Sequence, residues 1–406
     1  MNQCRVCRSK IKAFMSFGQM PIANGFLNKN HFEGEYFFEL APAFCENCGM
    51  FQLMEQPDPK KMFHSEYAFF SSLSKHMQEH FRDFAKAVKE IIPAASQDTF
   101  VVELGSNDGI MLRHFKEGGY RHLGIEPSQN VADVAKKNGI ETISEFFDLE
   151  LAKKLVNERG HADAILAANV MCHIPNIQSV AAGISHFLKP GGVLIFEDPY
   201  LGDMIAKTSY DQIYDEHVFI FSATSVAYAF GLQGLELIDV QAQSTHGGSM
   251  RYVLAHKGAR NVSKNVKELL EQERFQGLNL AETYLNFKSN CERSKSDLVK
   301  KLKELKKDGK RVVGYGATSK STTVLNYCQI NGDLIEFISD TTPIKQGKVT
   351  PGMHIPVFSH DKFNENYPEY ALLFAWNHAK EIFEKEDEFR AAGGRWVLFV
   401  PDLRVI

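Results

Sequence analysis

Twice along this chain an apolar run ends in a tight glycine turn and a helix-length segment follows, and each time further apolar runs recur at similar spacing. The first series starts at TFVVELG and continues through HLGIEP, DAILAAN and GVLIFEDP. The second starts at KRVVGYGATSKS and continues through LIEFISD, YALLFAW and RWVLFVP. Parallel strands need long crossovers, and a run that is apolar throughout is one covered on both faces. The pattern therefore predicts two separate α/β units, the first a doubly wound parallel sheet. Between them, Ser222 to Phe230 reads as a helix, and LELIDVQAQ with SMRYVLAHK as an antiparallel pair at the sheet edge. A charged helical stretch from Val262 to Lys310 carries Leu298, Leu302 and Leu305 on one stripe. Ahead of the first series, Met77, Phe81, Phe84, Ala85 and Val88 recur at helical steps from Ser74 to Ile92, and Pro93 ends the run. Residues before Phe70 read as loops and short strands. The expected domains are 1–70, 71–260 and 261–406.

A length of 406 residues suits two to three domains. Hydrophobic residues at 44% and charged residues at 24% predict a globular chain, and a net charge of −4 argues against a nucleic-acid partner. No apolar run is long enough for a membrane span, and MNQCRVCRSK has no apolar signal core, so a cytoplasmic protein is expected.

Four of the seven cysteines form two C-x-x-C pairs, Cys4/Cys7 and Cys45/Cys48. Each turn aims two thiolates at one point, and two such turns make the four-sulfur cage that zinc prefers. Such a cage leaves no open position, so the metal is expected to be structural. The competing reading is two reducible cysteine pairs. His31 and His64 are possible substitute ligands.

In the first glycine turn, VVELGSNDG, the strand ends on Glu103. An acid there repels a phosphate but suits the ammonium of an amino acid. Glu126 lies 21 residues after Gly105, the position of a carboxylate that accepts from ribose hydroxyls. The turn and its acids resemble the class I S-adenosylmethionine-dependent methyltransferases. The resemblance implies cofactor contacts from Glu103, Gly105, Asn107, Asp108, Gly109 and Glu126, with Glu145 near the adenine and Asn169 at the end of the fourth strand. A Rossmann turn without ligand is the alternative.

Tyr210 to His217, YDQIYDEH, packs two tyrosines, two aspartates, a glutamate and a histidine into eight residues. A carboxylate beside an imidazole raises its basicity and fixes its orientation. His217 is the candidate base, with Glu216 or Tyr214 as partner; a solvated polar loop is the competing reading. His246 in HGGSMR either touches ligand or lies in a hairpin whose glycines serve geometry.

The zinc knuckles, MPIANGF, YAFFSS, VVELGSNDG, NVMCHIP, FEDPY, YDQIYDEHVF, HGGSMRY and GYGATSKS stand in the order found in sugar C-3′-methyltransferases acting on nucleotide-linked 4-keto-6-deoxy sugars. The chain resembles that family over nearly its whole length. The resemblance implies an N-terminal zinc domain, a central S-adenosylmethionine domain and a C-terminal Rossmann-like domain that holds the sugar nucleotide. It implies that His217 removes the C-3′ proton beside the C-4′ ketone, assisted by Tyr214 and Glu216. His173 and Tyr67 are implied near the sugar, although Phe69 stands where a second tyrosine is expected. Thymidine diphosphate is the implied nucleotide, and a monomer is expected. Tyr200 and His246 are candidate substrate contacts. In the second glycine turn Thr318, Ser319 and Lys320 are candidates to cradle the diphosphate, with Trp376 and Asn377 nearby. A nicotinamide reading through Asp340, or a relic turn, stays open there, and a core role competes for Trp376. Other readings of the whole chain are a methyltransferase for another activated sugar or ketone, and an inactive zinc-stabilised binding scaffold.

Overall fold

In a computed structural model, which describes residues 2–29, 32–58, 62, 75–96 and 98–406, the N-terminal unit is built from short strands. Strand β1 (Gln19–Pro21) pairs antiparallel with β2 (Phe37–Glu39), and β3 (Pro42–Cys45) forms a hairpin with β4 (Met50–Leu53).

The helix Lys75–Ile91 leads into the central unit. Its strands are β5 (Phe100–Leu104), β6 (Arg121–Ile125), β7 (Thr142–Ile143), β8 (Ala162–Ala168), β9 (Leu188–Pro199), β10 (Phe219–Ile220), β11 (Leu235–Gln243) and β12 (Ser249–His256). All but β10 form one seven-stranded sheet, in the order β11-β12-β9-β8-β5-β6-β7. It is parallel except that β12 runs against both β9 and β11. Both faces are covered, as the unbroken apolar runs require. Phe100, Val102 and Leu104 of β5 pack with Leu123, Ile125 and Ile165, while Val101 packs with Ala164, Leu166 and Phe84 on the other side. Strand β10 leaves this sheet and pairs instead with β4, Phe219 opposite Gln52. The strand that follows YDEH therefore completes the sheet of the N-terminal unit.

The C-terminal sheet holds β13 (Val312–Tyr315), β14 (Ile338–Ser339), β15 (Val357–Phe358), β16 (Tyr370–Leu373), β17 (Arg395–Leu398) and β18 (Arg404–Val405). Its order is β15-β14-β13-β16-β17-β18, parallel except for β18. The winding reverses between β13 and β16, the place where ligands gather in such sheets. Two helices, Lys264–Phe275 and Ala281–Lys307, join the sheets. The expected stripe of Leu298, Leu302 and Leu305 is buried, and Tyr284 on the same helix stacks on Phe44 at 4.0 Å. One apolar cluster runs through all three units, including Cys4, Phe51, Phe221, Tyr252, Val324 and Ile338. Among the described residues no helix is long and apolar enough to cross a membrane. The chain thus has the class I methyltransferase sheet, an N-terminal cysteine unit and a Rossmann-like C-terminal sheet.

Candidate active site and cysteine centre

The first glycine turn is shaped by close packing. Gly105 has φ +62°, and a β-carbon there would lie 2.3 Å from Val170; at Gly109, φ +82°, it would lie 2.7 Å from Ile140. Neither position has room for a side chain. Glu126 closes the turn by accepting from the amides of Asn107 (3.0 Å) and Ser128 (2.8 Å). Glu103 is buried, and Oε2 has no hydrogen-bond partner among the described residues. Burial and the charges of Asp108 and Glu126 push its carboxyl well above the usual range. A buried carboxylate is stabilised by a cation, and the ammonium end of S-adenosylmethionine fits there. Asn169, directly after β8, has φ +55°, and its Nδ2 donates to His246 Nε2 at 2.9 Å. Glu145 is exposed beyond β7 and pairs with Lys154 at 3.6 Å.

YDQIYDEH is buried rather than solvated. His217 Nδ1 lies 2.7 Å from the carbonyl oxygen of Gln212, so Nδ1 carries the proton. The lone pair is left on Nε2, which accepts from the Tyr214 hydroxyl at 2.9 Å. Burial, with the neighbouring charges of His173, Lys320 and His246, holds the His217 imidazolium far below its ordinary stability. The ring is therefore neutral at neutral pH. The His173 ring lies 5.3 Å from that of His217, and burial pushes its pKa down to about 4. Glu216 accepts from Asn24 Nδ2 at 2.7 Å, and burial raises it to about 7. Asp215 accepts from the Ala23 amide at 3.0 Å. MPIANGF of the N-terminal unit thus grips the loop that carries the base. From the other side Thr322 donates to the carbonyl of Ala23 (2.8 Å) and Thr323 to that of Ile213 (2.9 Å).

The candidate substrate contacts are engaged within the chain. Tyr200 is buried, and its hydroxyl donates to Glu273 at 3.1 Å. Glu273 also caps the helix Ala223–Gly231 through the amides of Ala223 (2.6 Å) and Thr224 (2.9 Å). Lys320 turns away from the second glycine turn. Its ammonium donates to the carbonyl of His246 (3.1 Å) and to Asn377 Oδ1 (3.4 Å), and lies 5.0 Å from the Trp376 ring. Trp376 is half-buried and packs against the apolar clusters of the C-terminal unit. Its indole N–H donates to Asp211 Oδ2 at 2.7 Å across the seam between the units. Asp340 accepts from the amide of Ala317 in the turn and from that of Thr342, two residues beyond the acid, both at 2.7 Å, the same arrangement that Glu126 makes in the first turn. Thr318 caps its helix by accepting from the Ser321 amide, and Ser319 opens that helix. Tyr67 and Phe69, like His31 and His64, lie outside the described residues.

Asn24, Asp211 and Asp198 were not singled out from sequence. Asn24 lies in a quoted block, but its partner is 192 residues away. Asp198 is wholly buried beneath the cluster, accepts from the Cys172 amide at 3.2 Å, and is raised by burial to about 8.

The four knuckle cysteines converge. Cys4 and Cys48 sulfurs are 3.6 Å apart, Cys7 and Cys45 3.4 Å, and all four lie within 4.8 Å of one another. A tetrahedral cage with zinc–sulfur bonds of about 2.3 Å spaces sulfurs roughly 3.8 Å apart, so the residues fit zinc. The Val6 amide (3.4 Å) and Gln52 Nε2 (3.1 Å) both donate to the Cys4 sulfur.

Three family descriptions match the chain: "Putative zinc binding domain" over residues 4–63, "Methyltransferase domain" over 75–240 and "C-methyltransferase C-terminal domain" over 244–401. The C-methyltransferase NovU of Streptomyces niveus is 35% identical over 409 residues, covering all of this chain and 97% of its own length. Solved structures with partial likeness include the magnesium protoporphyrin IX methyltransferase of Synechocystis with bound S-adenosylmethionine (11% identity, 45% of this chain, 79% of that one, TM-score 0.33). The CcbJ methyltransferase of Streptomyces caelestis is another (13% identity, 43% and 89%, TM-score 0.33).

Proposed function

The chain belongs to the C-methyltransferase family, and from that membership we propose that it methylates C-3′ of a thymidine-diphosphate-linked 4-keto-6-deoxy sugar. The observation that carries this reading is the His217 ring, neutral, with Nδ1–H fixed on the Gln212 carbonyl and its lone pair on Nε2. Methylating carbon requires a base that first removes a proton beside a carbonyl, and a positioned one contributes about 10²–10⁴ in rate. Nε2 takes the C-3′ proton, and the Tyr214 oxygen, 2.9 Å away, then accepts from the imidazolium so formed. His173 or Tyr214 donates to the enolate oxygen at C-4′. Glu216 and Asp215, tied to Asn24 and Ala23, hold the loop in place. Glu103, the Gly105–Gly109 turn and Glu126 would hold S-adenosylmethionine, which supplies an electrophilic methyl group to the deprotonated carbon. Ser319, Thr318 and Asn377, at the reversal of the C-terminal sheet, are our candidates for nucleotide contacts. Zinc in the four-cysteine cage is structural, and residues 1–70, 71–260 and 261–406 divide metal, cofactor and nucleotide between them.

The test is incubation with S-adenosylmethionine and the keto sugar nucleotide in deuterated water, read by mass spectrometry. One added methyl group on carbon is expected. His217→Asn should lose methyl gain and deuterium uptake together while still binding the cofactor. Methylation on oxygen, or full activity in that variant, would sink the reading.

A further inference from the structure

We propose that Cys172, His173 and His217 form a second transition-metal site, distinct from the four-cysteine cage, and that Zn²⁺ bound there switches methyl transfer off. One candidate donor atom from each residue lies within 4.8 Å of the others. Thiolate with two imidazoles is a donor set for zinc, and three protein ligands leave a fourth position open. The outer contacts are also in place. A ligating histidine usually donates its second N–H to a carbonyl, and His217 Nδ1 already does so toward Gln212 at 2.7 Å, presenting Nε2. The Cys172 amide is anchored on Asp198 at 3.2 Å, which fixes the backbone carrying two adjacent ligands. Cys172 is fully buried and His217 nearly so, while His173 is half-buried. Binding forms a zinc–sulfur bond and breaks the S–H bond, with that proton leaving to solvent. The Tyr214 hydroxyl gives up its place on Nε2. The ion then takes the lone pair that would accept the C-3′ proton; this consequence rests on His217 being the base.

The experiment uses the whole protein carrying one zinc per chain, confirmed by elemental analysis. Cobalt(II) is added and the thiolate-to-cobalt charge-transfer band followed, with methyl transfer assayed in parallel against added Zn²⁺. One further ion per chain, a new band, and inhibition reversed by a chelator are expected. Cys172→Ser should keep basal turnover, lose the new band and need at least about tenfold more Zn²⁺ for half-inhibition. Cys172→Ala serves as the second variant if the serine is poorly folded. A band that does not depend on Cys172, or equal Zn²⁺ inhibition of wild type and variants, overturns the site. A Cys172-dependent band with activity untouched upholds the site but overturns the switch, and with it His217 as base.

Discussion

At His217 the surroundings work against positive charge: burial first, then His173, Lys320 and His246. A lowered pKa keeps the imidazole in its basic form to lower pH than a free histidine, whose pKa is about 6.5. The acid limb of kcat/KM assigned to this base should therefore fall clearly below pH 6.5. A limb at 6.5 or above, measured across a pH series, would show that the ring is more exposed than described. Glu216, raised to about 7, gives a second inflection that should vanish in Glu216→Gln. The density of YDQIYDEH made this residue legible, because so many ionisable groups in eight positions are rarely left to solvent. The roles of Asp198 and Asp211 were not legible although both lie in quoted blocks, since their partners, the Cys172 amide and the Trp376 indole, come from distant segments.

Among the elements, the HGG turn between β11 and β12 decides how the C-terminal unit meets the central one. Gly247 has φ +90°, and a β-carbon there would lie 2.3 Å from the Trp376 ring. Gly247→Val adds both backbone strain, of order 1–3 kcal/mol, and a clash with that ring. It should leave the seven-stranded sheet intact, shift the fluorescence of Trp376 and lower kcat/KM by about tenfold or more. Unchanged fluorescence and turnover would mean that the seam yields easily. The sequence left this turn open between hairpin and ligand contact; His246 in fact bridges Asn169 and Lys320, so both glycine geometry and polar contact are at work. Tyr200 lies in different surroundings. A tyrosine at the carboxyl end of a strand looks like a ligand contact, but a helix starts directly after it, and Glu273, 73 residues on, takes its hydroxyl.

Across the whole molecule the division into α/β units was legible because strand and helix periods are local properties of the chain. The convergence on one site was not, because it depends on contacts between distant segments. Strand β10 pairs with β4 two residues past His217, and the neighbouring Gln52 donates to the Cys4 sulfur. Disrupting the cysteine cage should therefore reach the base. Cys4→Ser is expected to lose about one zinc per chain, lower the melting temperature and reduce methyl transfer. Apparent zinc binding in small peptides amounts to about 10–16 kcal/mol, and here packing of the unit on its neighbours offsets part of the loss. A variant that keeps its zinc and melts like wild type would rule out the four-sulfur cage.

The hydroxyls of Thr322 and Thr323, neighbours on one helix, hold carbonyls from two different units. For anyone recombining relatives to change the accepted sugar, this means the C-terminal half is not a detachable cassette. A chimaera joined in the charged helices would inherit a helix shaped to its former neighbours, and would need the Ala23 loop and the Ile213 segment from the same parent to function.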